Sequence, residues 1–302
     1  MLDYKIKEYK DLMYVLYVIL KINCMKRIIA ILSILISTQI FAQKIPIQIL
    51  PSGHIIAKAK IDGKEGNFIF DTGGGINLFF DSFAEDLKKE STYNFLTAYR
   101  ATGERIDAPL FINNEVDFAG KKFTKVPYST FDMKLSGIDG LISLQMFDET
   151  DFIIDFDKEE IIITDFSKDT KLKSFDIQIT TNADKSTDIS TYIILNDKYK
   201  IQVLLDSGAG NNSFWFSDKL ISTLEIDKSE MEISEKKSEF DEKIITKFYK
   251  GSINSISNQF ITLKDPKVIF VEGLIYEGKT SINWFGNKIG ISLRNKKIYI
   301  ID

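Results

Sequence analysis

From Ile45 onward the hydrophobic residues come in short runs separated by small polar breaks. IPIQIL, HIIAKAKI, NFIFD, DFIIDF and EEIIIT are rich in Ile and Phe, and Gly, Asn and Asp punctuate them. The second half continues with TYIIL, YKIQVLLD, KVIFV, KIGISL and KIYIID. Short β-branched and aromatic runs bounded by turn formers predict strands, so the fold class expected is all-β. Two stretches follow a helical period instead. DSFAEDLKKE at 81–90 starts on a plausible cap and sets Phe83 four residues before Leu87. SDKLISTLE at 217–225 gathers Leu220, Ile221 and Leu224 on one side.

This order of elements occurs twice. FIFDTGGG at 68–75 and VLLDSGAG at 203–210 each place an aspartate, a hydroxyl residue and glycines straight after an apolar run, and Asp71 and Asp206 lie 135 residues apart. The expected helix starts, Ser82 and Ser217, repeat that spacing. Further on, SLQMFDETDFIIDFDKEEIIITD (143–165) lies against SINWFGNKIGISLRNKKIYIID (281–302), sharing Ser143/Ser281 and Phe147/Phe285. Each half therefore reads as strands, an aspartate loop, a short helix, more strands, an apolar turn and a final hairpin. The boundary falls in the polar stretch 167–190, giving expected domains at 43–170 and 171–302. An aspartate behind a buried apolar run is costly unless the chain uses it. Two instances at equivalent places leave accident a poor explanation, with an ancestral turn copied along with its domain as the plain alternative.

Composition narrows the chemistry. The chain has 302 residues, 44% of them hydrophobic, enough for one or two real cores. Its net charge of −4, without long single-sign blocks, lacks the basic footprint of a nucleic-acid binder. There is one histidine, His54, and one cysteine, Cys24. Ser-His-Asp and Cys-His machinery each need a histidine positioned by a third group, and a zinc site usually needs several His or Cys ligands, so one of each fits those chemistries poorly. No metal or cofactor is expected, and catalysis would fall to carboxylates. His54 reads as a half-exposed residue opening a strand after Pro51-Ser52-Gly53, and Trp215 and Trp284 read as core.

The N-terminus has the form of an address. In MKRIIAILSILISTQIFAQK, from Met25, Lys26 and Arg27 precede a short apolar stretch, and Ala42 offers a small residue for cleavage. That is a signal-peptide pattern, and the run is too short for a comfortable membrane span. Residues 1–42 are thus expected to be removed on export to the periplasm or beyond. For residues 1–24, with their second apolar patch LMYVLYVIL, translation from Met25 is the simplest account; a long signal or an anchor is the rival.

With FIFDTGGG, VLLDSGAG, the helix after each, and GIDGLISLQMF before the closing hairpin, residues 53–302 resemble the aspartic protease superfamily. The likeness is to the retropepsin-like aspartyl proteases of exported bacterial proteins, with two units in one chain as in pepsin-like enzymes. It implies a bilobed fold of two homologous closed β-barrel domains related by a pseudo-twofold axis, and a monomer that is an internal pseudo-dimer. Asp71 and Asp206 would then form a catalytic dyad that activates a water against a peptide or protein substrate. Thr72 and Ser207 would bond to the opposite loop, and Gly73 and Gly208 would let the backbone approach the carboxylates. TAYRATGERIDAPLF (97–111) sits where a covering hairpin, or flap, is expected, with Tyr99 or Gly103 near its tip; an ordinary exposed hairpin is the other reading. The second half, EMEISEKKSEFDEKIITKFY, is heavily charged and reads as a solvated face. Its later turn, EGKTSINWF, departs from the family pattern with Lys279 and Thr280 at apolar places. That departure leaves a protease-like binding module as the alternative to an active endopeptidase.

Overall fold

Alternation along Ile55–Ile61 shows how the sequence becomes sheet: Ile55, Ala57, Ala59 and Ile61 are buried while Lys58 and Lys60 face solvent. In the computed structural model, which describes residues 43–92, 95–167, 171–182, 186–238 and 243–301 together with 13, 20–22 and 26, most elements are strands of this kind. The leader region around Ala42, the start at Met25 and Cys24 lie outside the described residues. No helix among the described residues is long and apolar enough to cross a membrane.

The chain turns from Ile55–Ile61 into Lys64–Asp71 through Asp62 and Gly63, both at positive φ, which suits the twist of a tight hairpin. Lys64–Asp71 then runs parallel to Gly140–Ser143, which is antiparallel to Asn77–Phe80, itself parallel to Pro127–Phe131. Later in the chain Thr187–Leu195 is antiparallel to Tyr199–Leu205, which runs parallel to Gly278–Thr280. Gly278–Thr280 is antiparallel to Phe214–Ser217, and that strand is parallel to Lys267–Val271. The two sets of pairings follow the same sequence of directions.

Closed barrels do not form among the described residues. The larger sheet ends at Lys173–Asp176 and Glu90–Ser91, the smaller at Glu232–Lys237 and Thr262–Lys264. The closing hairpins pair with each other; the first also continues through Glu160–Thr164 into Lys44–Ile49 of its own half, and the second ends on Lys173–Asp176. Asp151–Asp155 lies antiparallel to Lys288–Ser292, with Phe152 opposite Ile291. The charged fork of Arg294 reinforces this junction, donating from Nη2 to Asp151 at 2.6 Å.

Both expected helices shrink to a single turn, Asp81–Ala84 and Leu220–Thr223. Together they do not keep the spacing of the aspartates, because the second half uses extra residues both between its loop and its strand and between that strand and its helical turn. Leu87 and Leu224 still reach the core from the chain just beyond each turn. Beneath the first aspartate loop, Phe68 and Phe70 are fully buried, Phe70 meeting Phe147 and Phe152 edge-on at 5.7 and 5.5 Å. Each such ring contributes about 1.5–3 kcal/mol by burial. This rigid floor fixes the strand end that carries Asp71.

Candidate active site

The alternation that sends Phe68 and Phe70 inward turns Ile69 and Asp71 the other way. Asp71 closes its strand opposite Ser143 and borders a cavity of about 540 Å³. Asp206 follows the strand Tyr199–Leu205, is buried, and borders the same cavity.

The two loops are tied crosswise. Thr72 Oγ1 donates to the carbonyl of Leu205 at 2.8 Å and accepts from the Ser207 amide at 2.9 Å. Reciprocally, Ser207 Oγ donates to the carbonyl of Phe70 at 2.6 Å and accepts from the Thr72 amide at 2.9 Å. Thr72 and Ser207 are both buried, so the four bonds satisfy groups that water does not reach.

This close approach needs glycine. A Cβ on Gly73 would stand 2.7 Å from the Asp206 carboxyl carbon, and one on Gly208 would stand 2.6 Å from that of Asp71. Each glycine thus faces the carboxylate of the opposite loop. The Gly73 amide also donates to Asp71 Oδ1 at 2.9 Å.

The electrostatics are unequal. Burial, followed by the charge of Asp206 and a hydrogen bond to it, holds the Asp71 carboxyl well above the usual carboxylate range; the Gly73 amide and Lys279 oppose this more weakly. Asp71 keeps some contact with the cavity, but protein encloses it enough for desolvation to dominate. Asp206 carries an ion pair: Lys279 Nζ lies 2.8 Å from its Oδ2 and 4.6 Å from the centre of the Trp215 ring. Tyr276, also on the cavity wall, has its phenol pushed up to about 12 by burial and then by Asp188 and Asp206, so it remains an O–H.

A hairpin of Leu96–Tyr99 and Arg105–Ala108 borders the cavity. Tyr99 is exposed on it, and Gly103 sits in its turn at φ +82°. The turn reaches across to later residues. The Ile275 amide donates to the Ala101 carbonyl at 3.0 Å, and Ser238 Oγ donates to the buried Glu104 at 2.6 Å. Arg100 Nη1 donates to Ser238 Oγ at 3.0 Å.

Two expectations change here. The charged second-half stretch is not merely a solvated face, since Lys236, Ser238, Thr246 and Phe248 all border the cavity. Trp284 is core, but Trp215 is only half-buried and lines the site. Lys279 stands out in the sequence as a polar residue at an apolar turn, with nothing nearby to reveal Asp206 as its partner. His54 stays half-buried at the start of its strand and shares a 2.8 Å hydrogen bond with Ser52.

Two further clefts, of about 630 and 580 Å³, lie away from the loops. Exposed pairs such as Lys60–Glu65 and Lys250–Glu232 border them, and neither brings buried carboxylates together.

Residues 57–146 match a family model described as aspartyl protease. The match contains Asp71, its glycine loop and the Gly140–Ser143 strand beside it, so this part of the chain is similar to an aspartyl protease family. No curated protein sequence matches the chain.

Proposed function

We propose that this protein is an exported aspartic endopeptidase, bilobed by internal duplication, in which Asp71 and Asp206 form the catalytic pair. The observation that carries this reading is the crosswise bonding of two aspartate loops that sets both carboxylates on one cavity. The matching strand directions of 43–170 and 171–302 support the duplication. A single chain then supplies both halves of the site and acts as a monomer, while the leader would take it out of the cytoplasm.

Two neighbouring carboxylates cannot both ionise cheaply, so they hold one proton between them. The ionised member takes a proton from water as the water oxygen bonds to the peptide carbonyl carbon. The protonated member gives its proton to the carbonyl oxygen, leaving a neutral gem-diol. In collapse, the first carboxyl protonates the amide nitrogen, the second recovers a proton from a diol hydroxyl, and the C–N bond breaks. A carboxylic acid and an amine result, with no covalent intermediate. The cavity beneath the hairpin suits an extended peptide whose carbonyl reaches the pair.

The test is cleavage of a broad peptide library by the purified protein between about pH 3 and 7, beside Asp71→Asn and Asp206→Asn. Each substitution should cut the rate by about 10²-fold or more. Equal inertness of all three folded proteins would sink the reading. A second reading, a peptide-binding module that cuts poorly, is favoured by the ion pair that neutralises Asp206. It predicts that peptides are retained uncut by the parent and by Asp71→Asn alike.

A further inference from the structure

If the two halves were identical, nothing would decide which carboxylate carries the shared proton. The strands beside the aspartate loops break that equivalence. In the first half Leu141 lies opposite Ile69 and Leu78; in the second, Lys279 lies opposite Leu204 and Trp215. The same sheet position therefore presents an isobutyl group to one loop and an ammonium to the other. Both members of the Lys279–Asp206 pair are shielded, with side chains 14% and 8% exposed. The Trp215 face stations the ammonium from the other side.

We propose that Lys279 is a positioning residue of the aspartate pair: its ammonium holds the negative charge on Asp206 and so leaves the proton on Asp71. Resting on the peptidase reading above, this makes Asp206 the base toward water and Asp71 the acid toward the carbonyl oxygen. The geometry of the remaining oxygen agrees. Asp206 Oδ1 is buried and accepts no hydrogen bond from an amide, hydroxyl or cation among the described residues, so a proton on Asp71 would supply one. Burial and the charge of Asp206 also favour the neutral form of Asp71.

The charged and titratable groups on the surrounding elements are few. Tyr276 borders the pair from the turn before Gly278–Thr280 and stays neutral, while Asp188 reaches Tyr276 from Thr187–Leu195. Lys236 and Lys237 are exposed on Glu232–Lys237, and Arg100 lies in the first hairpin's turn, held toward Ser238 and Glu104. Lys279 alone among these cations makes an ion pair with Asp206 among the described residues.

An ammonium beside a carboxylate favours the charged form, so it lowers the pH of both proton-binding steps of the pair. Carbon-13 NMR titration of the aspartate carboxyls in the whole protein reads those steps directly. Asp71→Asn and Asp206→Asn would assign the signals. In Lys279→Met the steps should move to higher pH, the more affected by about 1–3 units. Lys279→Arg, which keeps the charge and can lie on the Trp215 ring, should return them toward the parent positions. A lysine that served packing alone would change the melting temperature and leave the titration in place. Unmoved steps in folded Lys279→Met overturn the proposal, and Lys279→Gln carries the same expectation if Met disturbs the sheet. Because the titration needs no turnover, steps that move in a protein that cleaves nothing would sink only the peptidase reading. In a protein that does cleave, both limbs of the pH–rate profile should shift upward with the carboxyls.

Discussion

The loops around Asp71 and Asp206 share a hydrogen-bond skeleton and differ in what surrounds it. Asp139 accepts from the Asn67 amide beside the first loop's strand, and Glu277 accepts from the Gln202 amide beside the second. Their carbonyls accept from the Phe80 and Ser217 amides, again in parallel. Against this common frame, Leu141 and Leu78 give way to Lys279 and Trp215, and a half-open aspartate gives way to a buried one. Backbone geometry is held by bonds that must close in both halves. Side chains on the cavity face are released from that demand and can make two like carboxylates chemically unlike.

The sharpest way to break the parallel is at the glycines of the strands beside the loops. Gly140 has φ +153°, and a Cβ there would collide with the Leu78 carbonyl oxygen and lie 2.8 Å from Phe79 Cα. Its counterpart Gly278 has no such strain; its Cβ would meet the Phe216 ring and Val203 at 2.7 and 2.8 Å. Gly140→Ala should therefore cost about 3 kcal/mol or more, from strain and overpacking together, and Gly278→Ala about 1–3 kcal/mol. Denaturant unfolding of both variants measures the difference. Equal losses would mean that side chains yield no more readily here than backbone.

The crosswise bonds test whether the halves act as one. Thr72→Val strands the buried Ser207 amide, and Ser207→Ala strands that of Thr72. Each should cost about 1–3 kcal/mol. Because both hydroxyls join the same two loops, the double variant should lose less than the sum of the singles. Strict additivity would show two independent bonds rather than a single clamp.

The unequal carboxylates should also appear in stability. Asp71 binds its proton more tightly in the folded protein than at the unfolded value near 3.9. Its favourable contribution is thus complete below about pH 4 and is lost as pH rises through the folded value. Asp71→Asn removes that loss. Its melting temperature should exceed the parent's by more near pH 7 than near pH 4, even as any cleavage falls away. A gap independent of pH would place the proton elsewhere.

How much of this was legible in the sequence follows from the range of each interaction. Alternation and turn residues foretold the strands around both aspartates, because those signals lie within a few residues. The aspartate loops stood out because they recur. The ten-residue helix expected at 81–90 stops after Ala84, since the strand Asn77–Phe80 and the core claim only one turn of it. Lys279 showed only as a misfit at an apolar turn, because its partner Asp206 is brought near by the parallel pairing of Tyr199–Leu205 with Gly278–Thr280. The charged stretch beginning at Glu230 gave no hint of a cavity wall. Most side chains of Glu232–Lys237 stay in water, while the chain just beyond them is tied to the first hairpin by Ser238 and Glu104.

That last contact is where the two hairpins differ most, and it carries the smallest expected effect. The first hairpin reaches the second half with its turn; the second contributes Ser238 just after Glu232–Lys237. Ser238 Oγ bridges Arg100 and Glu104, whose own separation is a longer 3.4 Å. Ser238→Ala would leave the buried Glu104 resting mainly on that weaker pair, a loss of about 1 kcal/mol. Global stability would barely register it, but local opening of the turn would. The Ile275 amide, bonded to Ala101 in the same turn, is a suitable reporter. Its hydrogen exchange should quicken by roughly 5-fold, as expected for a loss of about 1 kcal/mol in a local opening equilibrium, while amides of Lys64–Asp71 keep their rate. If both sets quicken together, the hairpin opens only with the whole fold, and peptide would have to enter from the side rather than beneath a lifting turn.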